Sequence, residues 1–329
     1  MSVQITIIGL GQVGSSIGLA LAGQKSIKRV GHDKDYDVGR IAQKDGAIDE
    51  FKTNLPASVS GANVVILSLP LSEIQSTLKY IAQDLQEGTV VLDTAPSKGT
   101  VTKWYEEVMP QGWYYVGLTP AVGANYLYGN DLGIQAARAD LFKKGVFLVN
   151  APHGTPGDAV KLATDLVGLL GATALISDSV EADGLVSSTH LLPQLVSAAL
   201  LDATITRPGW NDARKIAARP FATAAAASIY HDEAKSLGAA ALGNRKNVIP
   251  VIDAYMASLQ NLRDSIEDGD EKAVTEYLER VAKAYDRWLT ERTKADWQTM
   301  ETADVGESFG ERLSHMFMGN MMERMKKRK

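Results

Sequence analysis

The sequence predicts an α/β fold in which a doubly wound, mostly parallel sheet is followed by an all-α domain. From Met1 to about Asn150, short β-branched runs alternate with segments of helical periodicity, the order expected of parallel strands joined by crossover helices. The strand segments are apolar almost throughout, as expected when helices cover both faces of a sheet. After Ser177 the periodicity is helical almost to the end of the chain.

The same patterns define the individual elements. The predicted strands cover residues 3–8, 29–32, 64–69, 90–93, 114–116, 146–149 and 174–176. The predicted helices cover residues 13–21, 159–170, 178–206, 222–242, 248–267 and 271–294. Between the last two helices, Asp268, Gly269 and Asp270 predict a helix hairpin in which Asp270 caps the second helix.

Composition excludes several classes of protein. The length of 329 residues suggests two domains, and the 45% hydrophobic content supplies a sizeable core. The 34 basic and 39 acidic residues give a net charge of −5, so no global positive field attracts nucleic acid. Because the chain has no cysteine, it has no disulfide, thiolate metal site or cysteine nucleophile. No metal site is predicted, and a cytoplasmic location is expected.

Neither export nor membrane insertion is expected from the apolar segments. The amino-terminal residues 1–9 lack a basic region and a small-residue cleavage site. The longest apolar stretch, residues 191–201, is interrupted by Pro193 and Gln194 before it reaches the 18 or so residues that would span a bilayer.

Three glycines form the most informative motif of the chain. Gly9, Gly11 and Gly14 give the pattern G-x-G-x-x-G between the first strand and an apolar helix. In this context the glycines permit a tight turn, the approach of a diphosphate and close helix–strand packing. The phosphates then meet free N–H groups at the helix start, including those of Gln12 and Val13. The motif predicts dinucleotide binding, against the alternative that these glycines serve only tight turns.

An acidic residue after the second strand indicates which dinucleotide binds. Asp33 lies 24 positions beyond Gly9, where a carboxylate can accept hydrogen bonds from the adenosine ribose and would repel a 2′-phosphate. This arrangement favours NAD. The neighbouring Lys34 could accept a phosphate, so NADP stays the alternative.

Two further segments lie at the carboxyl ends of predicted strands, where open parallel sheets bind ligands. Ser68, Leu69 and Pro70 are predicted to contact the cofactor, as is Asp93, for which a helix cap is the alternative. Lys98 is predicted to hold a substrate carboxylate or to polarise an oxygen. Its alternative is an ordinary solvated lysine at a helix start.

Several phrases of the sequence occur in the same order in one known family. They are GLGQVGSSIGLAL (9–21), VGHDKD (30–35), DGAIDE (45–50), ANVVILSLP (62–70), DTAPSKG (93–99), VGLTPAVG (116–123), THLLPQLVSAAL (189–200), ARKIAARP (213–220) and GNRKNV (243–248). Together they resemble the prephenate and arogenate dehydrogenase family over most of the chain, from Val3 to about Leu289. The resemblance implies a Rossmann domain followed by a helical domain.

The resemblance also implies a reaction. Family members oxidise a cyclohexadienol at the carbon that bears the hydroxyl, and the ring carboxylate leaves as carbon dioxide while hydride passes to the nicotinamide. A base takes the hydroxyl proton, and cations bind the two carboxylates of the substrate.

The sequence departs from the family pattern at the first half of the expected pocket. Thr119 stands where the family has its catalytic histidine, and a neutral threonine cannot act as a base at neutral pH. Pro96 replaces a serine that contacts nicotinamide and substrate, whereas Lys98 matches. Thr119 and Lys98 are kept as catalytic candidates, and Ser97 as a substrate-binding candidate.

The helical half carries the other departures. Gln194 stands at the second histidine of the family's Ser-His-Leu-Pro-His phrase, and His190 stands at its serine. The carboxylate-binding arginine falls on Lys215, with Arg214 before it and Arg219 one turn later. These changed positions indicate a changed substrate or a changed way of binding the same one.

His190 is the hypothesised replacement for the missing base. It lies on the long helix after the nucleotide domain, from which it would supply the imidazole that position 119 lacks. The alternative is a histidine of the core or of an interface, satisfied by a neighbouring group.

The resemblance completes the predicted organisation. Residues 1–177 form a dinucleotide-binding domain, residues 178–299 a helical substrate and dimerisation domain, and residues 300–329 a Met-rich basic tail. The expected partners are a small-molecule carboxylate substrate and a second copy of the chain, bound through the helical domain.

Two segments have no settled role. Residues 221–237 place Tyr230, His231 and Asp232 where a lid could form. The tail holds five of the nine methionines between Met316 and Met325, which favours packing on its own dimer mate over contact with a membrane or a partner.

Two other functions remain open on sequence grounds. One is a dehydrogenase for another small hydroxy acid, in which Lys98 transfers the proton. The other is a nucleotide-binding sensor that has lost catalysis, as Thr119 would allow.

Overall fold

One sheet organises the first half of the chain in this computed structural model, which describes residues 3–108, 112–129, 131–227 and 234–297. Its strands in the described part are β1 (Val3–Ile8), β2 (Ile27–His32), β3 (Glu50–Phe51), β4 (Val64–Leu67), β5 (Val90–Asp93), β6 (Tyr114–Ala121), β7 (Val146–Asn150) and β8 (Thr173–Ile176). They are arranged in the order β3-β2-β1-β4-β5-β6-β7-β8. Neighbours are parallel except β6 and β7, which confirms the predicted mostly parallel sheet.

The strands differ from the sequence prediction at three places. The seven predicted strands are present, and β3 adds a two-residue strand that is too short to give a pattern. β4 ends at Leu67 rather than at residue 69, because the chain turns away before Pro70. β6 runs to Ala121 rather than to residue 116, because its second half pairs with the antiparallel β7.

In the first half of the chain, helices alternate with the strands of this sheet. They are α1 (Gln12–Ala20), α2 (Tyr36–Lys44), α3 (Leu55–Val59), α4 (Leu71–Ile81), α5 (Lys98–Val108) and α6 (Gly157–Leu169). The core that they share with the strands contains Ile5, Ile7 and Ile66, each fully buried. Because β-branched side chains of adjacent strands fill this interior, the carboxyl ends of the strands are held at fixed positions.

The described chain divides into two compact units. Among the described residues, the first unit contains those of 3–69, 73–179 and 289–297, and the second contains those of 70–72 and 180–288. The return of the chain to the first unit after residue 288 was not predicted, because no sequence pattern marks it.

The second unit is helical. Its elements are α7 (Ser179–Val186), α8 (Leu192–Ile205), α9 (Trp210–Ile216), α10 (Arg219–Ala226), α11 (Ala234–Gly243), α12 (Arg245–Glu267) and most of α13 (Glu271–Lys294). The single helix predicted over residues 222–242 is wrong: α10 begins earlier, with Pro220 in its first turn, and ends at Ala226. Tyr230, His231 and Asp232 lie outside the described residues, as does the predicted tail of residues 300–329.

The helical segment predicted over residues 178–206 is confirmed, with a local change of helix type before Pro193. A π-helical turn, Ser187–Leu191, joins α7 to α8, so the helical run continues through the proline. Proline lacks an N–H and its ring crowds the carbonyl four residues before it, and a wider turn at that point accommodates both effects. By length and composition this run, Ser179–Ile205, is one helix that could cross a membrane, with 28% of the stretch buried. A core helix of a water-soluble protein passes the same test.

Candidate active site

The Gly-rich turn joins β1 to α1 in a shape that side chains would prevent. Gly9 has φ of +89°, and a Cβ added there would lie 2.2 Å from the Ser68 carbonyl oxygen. A Cβ on Gly14 would lie 2.0 Å from the carbonyl oxygen of Gly9. At Gly11, by contrast, an added Cβ meets nothing within 4 Å. Protein atoms therefore crowd the turn at Gly9 and Gly14, whereas the space beside Gly11 is open.

The start of α1 faces that open position without a side-chain cap. Gly11 is the N-cap residue, and the first turn of the helix contains no acidic residue. The next helix differs, because Asp35 caps α2 through the N–H groups of Asp37 and Val38. An uncapped helix start combines free N–H groups with the positive end of the helix dipole. The residues present at this turn therefore fit the diphosphate of a dinucleotide.

Asp33 lies beside this turn at the end of β2. Its Oδ2 accepts a hydrogen bond of 2.7 Å from the backbone N–H of Leu10, and its Oδ1 accepts one of 2.9 Å from that of Asp35. These bonds fix the carboxylate against the Gly-rich turn. The Lys34 ammonium turns to Glu73 of α4, with Nζ and Oε1 2.5 Å apart. The only cation predicted to attract a 2′-phosphate is thus engaged by a carboxylate.

The other predicted cofactor contacts lie on neighbouring strand ends. Ser68 follows β4, and its N–H donates to the Ile8 carbonyl of β1 at 2.8 Å. Leu69 approaches the same turn, since an added Cβ on Gly9 would lie 3.0 Å from its Cδ2. Pro70 clusters with the second unit.

Asp93 and Lys98 form a fully buried ion pair instead of facing solvent. Lys98 Nζ lies 2.9 Å from Asp93 Oδ1, and both side chains are 0% exposed. The other carboxylate oxygen of Asp93 accepts a hydrogen bond of 2.5 Å from the Tyr115 hydroxyl. The backbone N–H of Ala95 also donates to Asp93 Oδ1, at 2.8 Å. The alternative of a solvated Lys98 is wrong, because its carboxylate partner lies inside the fold.

The Lys98 ammonium also supports β6 beyond the end of β5. The two strands pair only as far as Asp93 and Gly117, while β6 continues. Lys98 Nζ donates to the next carbonyl, that of Leu118, at 2.9 Å. Gly117 leaves room for this, since a Cβ there would lie 2.8 Å from Lys98 Cδ. The direct contact of Lys98 or Asp93 with ligands stays a prediction, whereas their mutual contact is present.

Thr119 brings an unsatisfied oxygen to this edge of the sheet. It is 3% exposed on β6, and its Oγ1 is buried with no hydrogen-bond partner. The Oδ1 of Asn150 on β7 is likewise buried without a partner, although its Nδ2 donates to Ser179 Oγ at 3.1 Å. Ser97 is buried as well, with Oγ 2.9 Å from Thr100 Oγ1. Its substrate contact stays a prediction.

The chain is similar to several known proteins. The family model described as "Prephenate dehydrogenase, nucleotide-binding domain" matches residues 17–176. Prephenate dehydrogenase from Bacillus subtilis is 23% identical over 304 residues, which cover 88% of this chain and 77% of the relative. The chain belongs to the prephenate dehydrogenase family. This confirms the resemblance that the motifs predicted.

Solved structures of similar fold agree with this. Prephenate dehydrogenase from Aquifex aeolicus, in complex with hydroxyphenyl propionate and NAD+, superposes with a TM-score of 0.75 at 22% identity, covering 87% of this chain and 98% of that one. Arogenate dehydrogenase from Synechocystis superposes with a TM-score of 0.68 at 19% identity, covering 87% and 99%. At these identities the likeness to the prephenate dehydrogenases is one of fold.

The helical unit of this family member holds His190 and Gln194 in the π-helical turn and the helix that follows it. His190 Nδ1 lies 3.0 Å from Thr189 Oγ1. Gln194 is 5% exposed; its Nε2 donates to the His190 carbonyl at 2.7 Å, and its Oε1 is buried without a partner. A π-turn of this kind often occurs at functional sites, and here it ties the two predicted residues together.

The three predicted carboxylate-binding cations of the helical unit are all exposed. Lys215 forms an ion pair with Asp212 at 2.7 Å, and its side chain is 66% exposed. Arg214 donates through Nε to the Asn211 carbonyl at 3.3 Å, and Arg219 begins α10. Within the described part of the prephenate dehydrogenase fold, none of these cations is enclosed by a pocket.

Sequence reasoning missed Arg292 near the end of α13. Its side chain is buried, and Nη2 donates to the carbonyl of Val122, directly after β6. Burial lowers the pKa of Arg292. No motif signals this contact, because the two residues are 170 positions apart in the chain.

Proposed function

We propose that this protein is an NAD-dependent dehydrogenase that oxidises prephenate or arogenate and releases the ring carboxylate as carbon dioxide. The observation that carries the proposal is the Gly9–Gly14 turn, which is open at Gly11 in front of an uncapped helix. Membership of the prephenate dehydrogenase family supplies the substrate class. A cyclohexadienyl dehydrogenase from Zymomonas mobilis is also similar, at 24% identity.

Asp33 and Glu73 support the preference for NAD over NADP. The Asp33 carboxylate is fixed on the turn by two backbone N–H groups. Glu73 occupies the Lys34 ammonium, so a 2′-phosphate would meet two carboxylates and an already paired cation. Like charges at close range disfavour binding.

In the proposed reaction, NAD+ accepts the hydride from the carbon that bears the hydroxyl. Thr119 supplies a hydroxyl that can exchange a hydrogen bond with the substrate, since its Oγ1 has no protein partner. It cannot take the proton at neutral pH. We assign that role to His190, whose ring is oriented by Thr189.

The substrate's negative charges require donors as well as cations. Arg214, Lys215 and Arg219 stay the proposed carboxylate-binding residues of the helical unit. Ser97 and Gln194 stay proposed contacts for the ring, and the unpartnered Oε1 of Gln194 supports its assignment.

A homodimer is part of the proposal because α12 has an uncovered apolar face. Ile249, Met256, Leu259 and Ile266 are 55%, 60%, 53% and 61% exposed, and among its 23 residues only Val248 is buried. A helix of this length needs an apolar partner to be stable. A second copy of the chain provides one, as the family resemblance implies, and Leu259→Asp would then shift sedimentation towards the monomer.

A direct assay tests the function. The protein is mixed with NAD+ or NADP+ and with prephenate or arogenate, and the absorbance of the reduced nicotinamide is followed. We expect turnover with NAD+ and one or both acids, in a cytoplasmic enzyme. Turnover only with another hydroxy acid would identify a changed substrate. Cofactor binding without any turnover would favour a sensor, a role that Thr119 in place of histidine would permit.

A further inference from the structure

Arg292 places a cation at the ligand-binding edge of the sheet. Its Nη2 donates to the carbonyl of Val122 at 2.5 Å, and Val122 directly follows the last residue of β6. β6 runs parallel to β5 as far as Gly117, and Val122 follows five residues later, on the carboxyl side of the sheet and beyond the end of β5. Open parallel sheets bind their ligands at that edge.

This cation has no carboxylate partner among the described residues. Arg292 is 8% exposed, and its contacts are the Val122 carbonyl and the Trp297 ring, whose centroid lies 5.7 Å from the guanidinium carbon. Burial lowers its pKa. A buried cation without an anion is costly, and one carbonyl uses only one of the five guanidinium N–H donors.

Trp297 adds a second donor at the same place. Its Nε1 is buried and has no hydrogen-bond partner. Buried indole N–H groups nearly always find an acceptor. A buried guanidinium with only one carbonyl acceptor, beside an indole N–H with none, indicates a ligand with negatively charged oxygen atoms.

We infer that Arg292 and Trp297 form an anion subsite that binds a carboxylate of the substrate. The inference rests on the proposed function, since that function supplies a substrate with carboxylates. It assigns to the first unit a cation that the family motifs did not indicate.

The position of the subsite favours the substrate over the cofactor's diphosphate. The diphosphate fits the turn after β1, and β6 lies three strands away in the order β1-β4-β5-β6. At about 4.8 Å per strand the separation across the sheet alone is about 14 Å, and the extension of β6 beyond β5 adds to it. A diphosphate held on α1 therefore cannot also occupy Arg292, whereas a substrate beyond the nicotinamide can.

The test measures binding of a carboxylate and of its neutral analogue. Calorimetry with saturating NAD+ gives the Kd of 4-hydroxyphenylpropionate and of 4-ethylphenol, which lacks the carboxylate. The variants are Arg292→Gln, Arg292→Lys and Trp297→Phe, which keeps the ring and removes the N–H. Arg280→Gln is the matched control, because Arg280 also lies on α13 and over an aromatic ring, that of Tyr277, but is exposed.

We expect Arg292→Gln to weaken the acid about ten- to a hundredfold and to leave 4-ethylphenol and NAD+ within twofold, as loss of a charge-assisted hydrogen bond predicts. The affinity of Arg292→Lys for the acid should lie between those of the unmodified protein and of Arg292→Gln. Trp297→Phe should bind the acid about threefold more weakly. If Arg292→Gln does not fold, the other two variants carry the test.

Several results would overturn the subsite. They are equal losses for the acid and the neutral analogue, an unchanged Kd for the acid, the same loss in Arg280→Gln, or no binding of the acid to the unmodified protein. The two proposals fail separately. Arginine-dependent binding without turnover of prephenate or arogenate removes the proposed function, and turnover with an unaltered Kd in Arg292→Gln removes only the subsite.

Discussion

The Lys98 ammonium lies 2.9 Å from the Leu118 carbonyl oxygen, at the point where β6 has lost β5 as a partner. The same ammonium forms the buried ion pair with Asp93. One side chain therefore completes the hydrogen bonding of the strand that carries Thr119. Lys98 acts as a positioning residue in this geometry, and stability measurements can separate that role from direct contact with a substrate.

Lys98→Met should destabilise the protein by about 3–5 kcal/mol, because it leaves the Asp93 carboxylate buried without its cation. Denaturant unfolding followed by circular dichroism measures the change. Asp93→Asn in the same chain removes the charge, and should recover part of the loss. A Lys98→Met protein of unchanged stability would show that the ion pair contributes little.

Two glycine substitutions should separate cofactor binding from folding. Gly11→Ala adds a methyl group that meets no protein atom and has a backbone conformation open to alanine, with φ of −71°. It should keep the unfolding free energy and weaken NAD+ at least tenfold, because the methyl group occupies the approach of the diphosphate.

Gly14→Ala is the contrasting variant, since its methyl group would lie 2.0 Å from the Gly9 carbonyl oxygen. It should lose stability as well as NAD+ affinity. Calorimetry and thermal unfolding measure both quantities. Full NAD+ affinity in Gly11→Ala would contradict the assigned diphosphate position.

Cofactor preference should depend on both carboxylates near Lys34. Asp33→Asn should lower the ratio of kcat/KM for NAD+ to that for NADP+ about tenfold or more, because the charge that repels a 2′-phosphate is gone. Glu73→Gln removes the negative charge paired with Lys34 and should raise NADP+ affinity a few-fold at low salt. A Lys34→Met, Glu73→Gln double variant without that gain would show that the lysine is the phosphate-binding group.

The sequence predicted the Gly-rich turn and the strands around it well, because these features are local. The Gly9–Gly14 turn, the strand ends and Asp33 lie within one β-α-β segment, and the spacing of glycines reflects backbone constraints that act over a few residues.

The other features of the site depend on contacts that the spacing of residues in the sequence does not signal. The sequence predicted a ligand contact for Lys98, with a solvated lysine as the alternative, and only the end of β5 opposite Gly117 explains why it turns inward to Asp93. Arg292 reaches a carbonyl 170 positions away. The π-turn at Ser187–Leu191 precedes Pro193 inside a helix that the sequence predicted as continuous, and no residue spacing signals this change of helix type.

Thr119→Val should separate stability from catalysis at β6. Valine keeps the shape and removes a buried hydroxyl without a partner, so the protein should be equally stable or more stable by about 1 kcal/mol. If the hydroxyl contacts the substrate, kcat/KM should fall about tenfold with an unchanged Kd for NAD+. A loss of stability would mean that the hydroxyl is satisfied in the folded protein, and unchanged kinetics would remove Thr119 from the site.

His190→Asn tests the proposed base. Asparagine keeps hydrogen-bonding capacity in a smaller side chain and cannot accept a proton near neutral pH, so hydride transfer should fall at least a hundredfold while the Kd for NAD+ stays unchanged. Stopped-flow measurement of reduced nicotinamide with prephenate gives the rate of that step. Gln194→Glu is a useful companion, because it alters the neighbour that bonds the His190 carbonyl and keeps the imidazole. If His190→Asn retains normal turnover and Gln194→Glu does not, the proton is taken by another group and the π-turn serves to shape the helix.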